Sequence, residues 1–181
     1  VAVIGAGAGG AAAVVELTRY PESLQENPRG RLLAVLGEPG DPDVEVAKIL
    51  IVHGVDEEHS PAALAQAAAY GNAPAANELE RREDLRDVPL ITIDPADARD
   101  HDDAVWAVRD EEGRYEAWIA IADVSHYVIE GSALDDAARK RGCSVYLPDR
   151  AVPMLPPELS AVLCSLLPEQ DRLCLCVHVL L

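Results

Sequence analysis

Five of the ten residues from Asp94 to Asp103 are aspartates, in the run Thr92-Ile-Asp94-Pro-Ala-Asp97-Ala-Arg-Asp100-His-Asp102-Asp103, and no glutamate interrupts it. Short carboxylates packed this densely repel one another, by about 1 kcal/mol per exposed pair at 4 Å and more where water is excluded. Hard divalent cations with oxygen ligands relieve that repulsion. Asp94 at a strand end, with Asp100, Asp102 and Asp103 in the loop after it, could therefore converge on one or two Mg²⁺ ions. A solvated acidic loop is the alternative. The EF-hand calcium pattern is excluded, because its Gly and terminal Glu are missing.

Other residue types associated with chemistry carry less. Asp123, Ser125 and His126 have the identities of a hydrolase triad, but near-neighbours along one strand alternate faces and cannot form a nucleophile–base–orienter chain. Cys143, Cys164, Cys174 and Cys176 form no CxxC pair, which argues against zinc and for free buried thiols. His53, His59 and His178 stand alone and receive no role. Gly5, Gly7 and Gly10 satisfy GxGxxG after an apolar run, the fingerprint that opens a dinucleotide-binding βαβ unit. Against that reading, Pro21 would end the following helix after about ten residues. No acidic residue follows the next strand at the usual distance.

The elements that must position these residues can be read from turn and cap signals. Residues 13–19 and 30–36 predict strands, separated by a polar loop and closed by the turn cluster Gly37-Glu-Pro-Gly-Asp-Pro-Asp43. Residues 44–52 fit a strand or a short helix. Ser60 followed by Pro61 predicts a capped Ala-rich helix running to Tyr70. Residues 77–82 read as charged linker or helix. Beyond them, residues 88–93 predict a short strand entering the acidic loop, and residues 104–108 with 115–122 predict a hairpin. Ser132 predicts a helix to about Arg141. Residues 144–147 predict a strand, residues 156–166 a helix and residues 172–181 a last strand. The fold class is α+β.

Composition sets the frame. Of 181 residues, 49% are hydrophobic and 26% charged, enough for a packed core. Aromatics are 4% with no Phe, so aliphatic side chains build that core. Fifteen basic residues against 32 acidic give a net charge of −17, which argues against a general electrostatic grip on nucleic acid. It leaves open an enzyme whose carboxylates hold metal. No apolar run reaches membrane-spanning length and no signal peptide opens the chain, so a soluble, cytoplasmic protein without a membrane partner is expected. The absent initiator Met and the apolar final run suggest a fragment.

Taken together, Asp87-Val-Pro-Leu-Ile-Thr-Ile-Asp94 through Asp103-Ala, Ile119-Ala-Ile-Ala-Asp-Val-Ser-His-Tyr-Val128, Arg141-Gly-Cys-Ser-Val-Tyr-Leu-Pro-Asp-Arg150, Val152-Pro-Met-Leu-Pro156 and Asp171-Arg172 resemble the ribonuclease II/ribonuclease R family of 3′→5′ exoribonucleases. The resemblance covers residues 84–178 and fits the ribonuclease R branch best. His101 departs from it, standing where the family more often has an apolar or aromatic residue. Residues 14–19, 30–37 and 43–53 resemble, more loosely, the end of the cold-shock domain that precedes the catalytic domain.

The resemblance implies a partial cold-shock/OB-like β-barrel over residues 1–59, a helical linker over 60–83 and the first part of a mixed α/β catalytic domain over 84–181. It implies that Asp94, Asp100, Asp102 and Asp103 are the metal-site residues and that Asp102 is the one most critical for cleavage. Asp97 falls outside that quartet. It further implies that Tyr146 clamps the 3′-terminal base, that Mg²⁺ is the cofactor and that the 3′ end of single-stranded RNA is the partner of a monomer. The family's catalytic domain is much longer, so the fragment alone is expected to be inactive. A dinucleotide-binding domain and a non-catalytic RNA-binding remnant are the competing functions.

Overall fold

The computed structural model describes residues 2–6, 10–23, 25–96 and 98–181. They form two compact units, residues 1–57 and 58–181.

The first unit is an antiparallel sheet in the order β1 (Ala2–Ala6), β2 (Ala12–Arg19), β3 (Arg29–Gly37), followed by helix α1 (Pro42–Val52). β2 is central, and Ala12, Ala13 and Val14 are buried on it. Strands β2 and β3 approach so closely at Gly30 that a Cβ there would lie 2.5 Å from Val15 Cγ1 and 2.8 Å from the Glu16 carbonyl oxygen. Only glycine fits that crossing. Residues 44–52, undecided between strand and helix by periodicity, are helical because a start signal precedes them. Asp41 caps the helix, accepting the Asp43 amide at 2.9 Å, and Pro42 occupies its first turn. The GxGxxG run does not open a βαβ unit. β1 pairs antiparallel with β2, Gly5 opposite Ala13, so a strand follows where the fingerprint requires a helix. Gly7 itself lies outside the described residues.

The second unit begins with α2 (Pro61–Ala69) and the single turn α3 (Ala76–Leu79). The cap is as expected, with Ser60 Oγ accepting the Ala63 amide at 3.2 Å. Ala63 and Ala67, one helical turn apart, are both 0% exposed and admit the close approach of helix α5 (Ala133–Arg141). Between them run the hairpin strands β4 (Asp103–Arg109) and β5 (Tyr115–Ala122) and the short turn α4 (Val124–Tyr127). Two-residue strands β6 (Val145–Tyr146) and β7 (Ala151–Val152) pair, and β8 (Cys174–Leu180) completes the sheet in the order β4-β5-β8. Leu134, Leu159, Leu163 and Leu173 fill the core beneath, with Tyr127 edge-on to Tyr70 at 5.1 Å between ring centroids.

Four expectations are corrected here. Residues 88–93 form no strand. Pro89 supplies no amide hydrogen, Leu90 N–H turns back to Val88 O, and only Ile91 pairs, with Val105. Residues 156–166 are not a uniform helix, because Leu159–Leu163 is a π-turn in which Cys164 N–H donates to the Leu159 carbonyl, five residues back. Asp123, Ser125 and His126 do not lie on one strand, since Asp123 caps α4 and the other two lie within it. Of the four thiols only Cys164 is buried; Cys143 is exposed and Cys174 and Cys176 are half-buried.

The α2–α5 contact depends on small side chains. Ala67→Leu should lower unfolding free energy by about 1–3 kcal/mol through overpacking. Ala65→Leu, on the exposed side of the same helix, should change it by less than about 0.5 kcal/mol. Urea denaturation of the two variants checks this; equal effects would remove the close-packing account.

Candidate active site

The acidic loop is fastened at both ends by backbone bonds. Ile91 exchanges two hydrogen bonds with Val105, at 3.0 and 2.8 Å, which marks where the loop leaves the sheet edge. At the far end, Ala122 N–H donates to Asp102 O at 2.8 Å, and Asp103 opens β4 opposite Ile121. Between these points the loop is held by the segment leaving the π-turn. Ser165, 0% exposed, accepts the His101 amide on Oγ at 3.1 Å and donates the same hydroxyl to Arg99 O at 3.0 Å. Leu166 N–H donates to His101 O at 2.8 Å. Asp100 and Asp102, on either side of the pinned His101, lie near enough for the Asp100 charge to act on Asp102.

The four predicted carboxylates interact. Burial raises the Asp102 carboxyl above its ordinary value, and the charges of Asp100, Asp103 and Asp94 push it further up. Asp102 is thus electrostatically coupled to all three others. Asp94 shifts the opposite way, held low first by its hydrogen bond with His101, whose Nδ1 lies 2.8 Å from Asp94 Oδ2, and also by Thr92. Tyr146, on β6, donates its hydroxyl to Asp100 Oδ2 at 3.2 Å. Its residue is 70% exposed, so the ring is presented to solvent. The Asp100 charge, desolvation and that hydrogen bond together raise the phenol above its usual range, so it remains a donor. Asp97 lies outside the described residues.

Among the described residues, no three His, Cys, Asp or Glu side chains are gathered tightly enough to hold a metal ion as they stand. The donor set nevertheless fits a hard divalent cation. It is all carboxylate oxygen, and the Asp102 carboxyl, raised first by desolvation and then by three acidic neighbours, has His101 as its one opposing basic group.

Two neighbouring features are structural. Asp123 is buried, and desolvation alone would raise its carboxyl. Ser125 Oγ at 2.7 Å, Arg82 Nη2 at 2.7 Å and the His126 amide outweigh that effect and hold it low. Arg82 also reaches Cys174 O at 3.5 Å, joining the segment before the acidic loop to β8. Burial pushes the Cys164 thiol up to about 12, so it stays protonated and offers no nucleophile. A cleft of about 990 Å³, walled by Arg82, Arg86 and Arg172 among others, contains none of the four carboxylates and not Tyr146.

The Asp residues and Tyr146 are legible in the sequence, whereas His101 figures there only as a departure from the family pattern and nothing marks Ser165. The ring and hydroxyl act across 7 and 64 residues respectively, and no local pattern announces either contact.

The family model described as RNB domain matches residues 82–181, and the one described as Cold shock domain matches residues 4–60. Ribonuclease R of Thermotoga maritima is 41% identical over 168 residues, 92% of this chain and 24% of the relative. Ribonuclease R of Escherichia coli is 43% identical over 162 residues, 90% of this chain and 20% of the relative. The chain therefore spans a quarter or less of the length of these curated relatives. Among solved structures, Mycoplasma genitalium RNase R in complex with double-stranded RNA matches with a TM-score of 0.84 and 29% identity, over 94% of this chain and 30% of that one. Yeast Ssd1, a pseudonuclease, matches with a TM-score of 0.70 and 26% identity, over 95% of this chain and 22% of that one. With the RNB model matching more than half of its length, this chain belongs to the RNB-domain family.

Proposed function

We propose that this chain is part of a 3′→5′ exoribonuclease that hydrolyses RNA stepwise to 5′-mononucleotides in RNA decay or processing. The observation that carries this reading is the coupling of Asp102 to Asp94, Asp100 and Asp103 in a chain of the RNB-domain family. In this reading those four carboxylates hold Mg²⁺, and the substrate is the 3′ end of single-stranded RNA. Solved relatives carrying double-stranded and ribose methylated single-stranded RNA support an RNA partner. The enzyme is read as a cytoplasmic monomer; no helix among the described residues is long and apolar enough to cross a membrane.

When bound, Mg²⁺ supplies positive charge beside the scissile phosphodiester and makes water a better nucleophile. The chain's own residues do the rest. The bonds of Ser165 and Leu166 to residues 99 and 101 fix the backbone on either side of Asp100, from which Asp100 and Asp102 extend. Asp102, desolvated and facing the charges of Asp100, Asp103 and Asp94, gains from a cation and is assigned the central role. Tyr146 offers an exposed ring beside Asp100, on which the terminal base stacks for ~1–3 kcal/mol. The 3′ end is thereby held beside the carboxylates.

The first unit is assigned as the end of a cold-shock-type barrel. Exposed Leu32, Leu33 and Val35 on edge strand β3 support this, because such a face is ordinarily covered. Tyr20 is its only aromatic residue, so little base stacking is assigned to it. The fold alone does not specify catalysis, as the likeness to a pseudonuclease illustrates. The carboxylates carry the enzymatic reading.

Asp102→Asn in the full-length protein should abolish hydrolysis while leaving RNA binding within about twofold, since the amide keeps the shape and removes the charge. Release of labelled mononucleotide and a filter-binding titration measure the two; substantial turnover at saturating Mg²⁺ would remove Asp102 from its role. Tyr146→Ala should leave thermal stability nearly unchanged, because the side chain is exposed. It should also lengthen the limit product, since the last nucleotides lose ~1–3 kcal/mol of stacking each. An unaltered product ladder on a denaturing gel would dismiss the clamp.

A further inference from the structure

Asp94 and His101 are seven residues apart, and between them the chain has little support of its own. Among the described residues of 92–98, the backbone–backbone bond is a local turn, Ala98 N–H to Pro95 O at 3.0 Å, and Asp94 is otherwise met by the nearby Thr92 side chain. His101 is the opposite case. Its amide donates to buried Ser165 and its carbonyl accepts from Leu166, so both ends of the residue are pinned. Its side chain is only 19% exposed, and Nδ1 lies 2.8 Å from Asp94 Oδ2. An ionised carboxylate only accepts, so the ring nitrogen facing it carries the hydrogen. His101 is thus a donor on a fixed base, aimed at a carboxylate on a loosely held one.

We infer that His101 is a positioning residue, a strut from the Ser165-pinned backbone that fixes the Asp94 carboxylate in place for the cation bound by the acidic cluster. This rests on the metal reading of the four aspartates proposed above. Partners that orient a ligand are commonly worth 10–100-fold in metal affinity when removed. The same strut keeps Asp94 from drifting toward solvent under repulsion from Asp102.

Mn²⁺ binding to the full-length protein without RNA, followed by electron paramagnetic resonance and calorimetry, tests the inference. His101→Phe keeps a ring of similar size without the donor, and His101→Leu serves as a second donor-free replacement should Phe disturb folding, judged by circular dichroism. Both should weaken Mn²⁺ binding ~10–100-fold. His101→Asn, whose side-chain N–H can reach Asp94, should restore most of the affinity. Unchanged affinity in the donor-free variants, or no recovery in His101→Asn, would overturn the strut. If those variants bind normally while Asp102→Asn loses Mn²⁺, the strut fails and the metal site stands. If Asp102→Asn also binds like the unsubstituted protein, the metal reading fails and the strut with it.

Discussion

The arrangement depends on a single buried hydroxyl. Ser165 stands at the point where four like charges must be kept close, and its Oγ both accepts from His101 N–H and donates to Arg99 O. Leu166 and Ala122 add backbone donors to His101 O and Asp102 O. These neutral bonds oppose a repulsion that grows as water is withdrawn, which is why they are placed in the interior. With them in place the backbone that carries Asp100 and Asp102 is fixed before any counter-charge arrives. Preassembly of that kind lowers the ordering cost of binding.

The charge of the molecule is accordingly divided by depth. The net −17 is spread over a surface where most acids meet an arginine or open solvent, as Asp110 meets Arg114 and Asp135 meets Arg139. Asp123, the acid that is buried, has an arginine and two further donors to itself. Asp102 is the exception, an exposed residue whose carboxyl is still partly desolvated and has other acids as its main company. An acidic protein can therefore address a polyanion when the repulsion is concentrated where a cation can intervene.

How far this was legible in the sequence follows the range of each interaction. α2 could be placed because Ser60 and Pro61 announce it locally, and the β4–β5 hairpin because its alternation and turn are contiguous. α1 could not be decided by periodicity, and its start signal at Asp41-Pro42 was absorbed into a turn cluster. The strand expected over 88–93 failed at one proline within an otherwise apolar run. The Asp run was conspicuous because composition alone reveals it. What holds that run in place was not, since the bonds from Ser165 span 64 and 66 residues and a lone serine after an apolar stretch has no distinguishing pattern.

The π-turn at Leu159–Leu163 makes this part of the chain a length gauge. One residue more than an α-helical turn is accommodated there, with Cys164 bonded five residues back to Leu159. Each residue advances a helix by about 100°. Removing one would convert the turn to ordinary α-helix and swing all that follows by about that angle, carrying Ser165 away from Arg99 and His101. Substitutions that preserve apolar character between Pro156 and Cys164 are therefore tolerable in a way that insertions and deletions are not. The length of this turn, more than the identity of its side chains, sets where Ser165 stands.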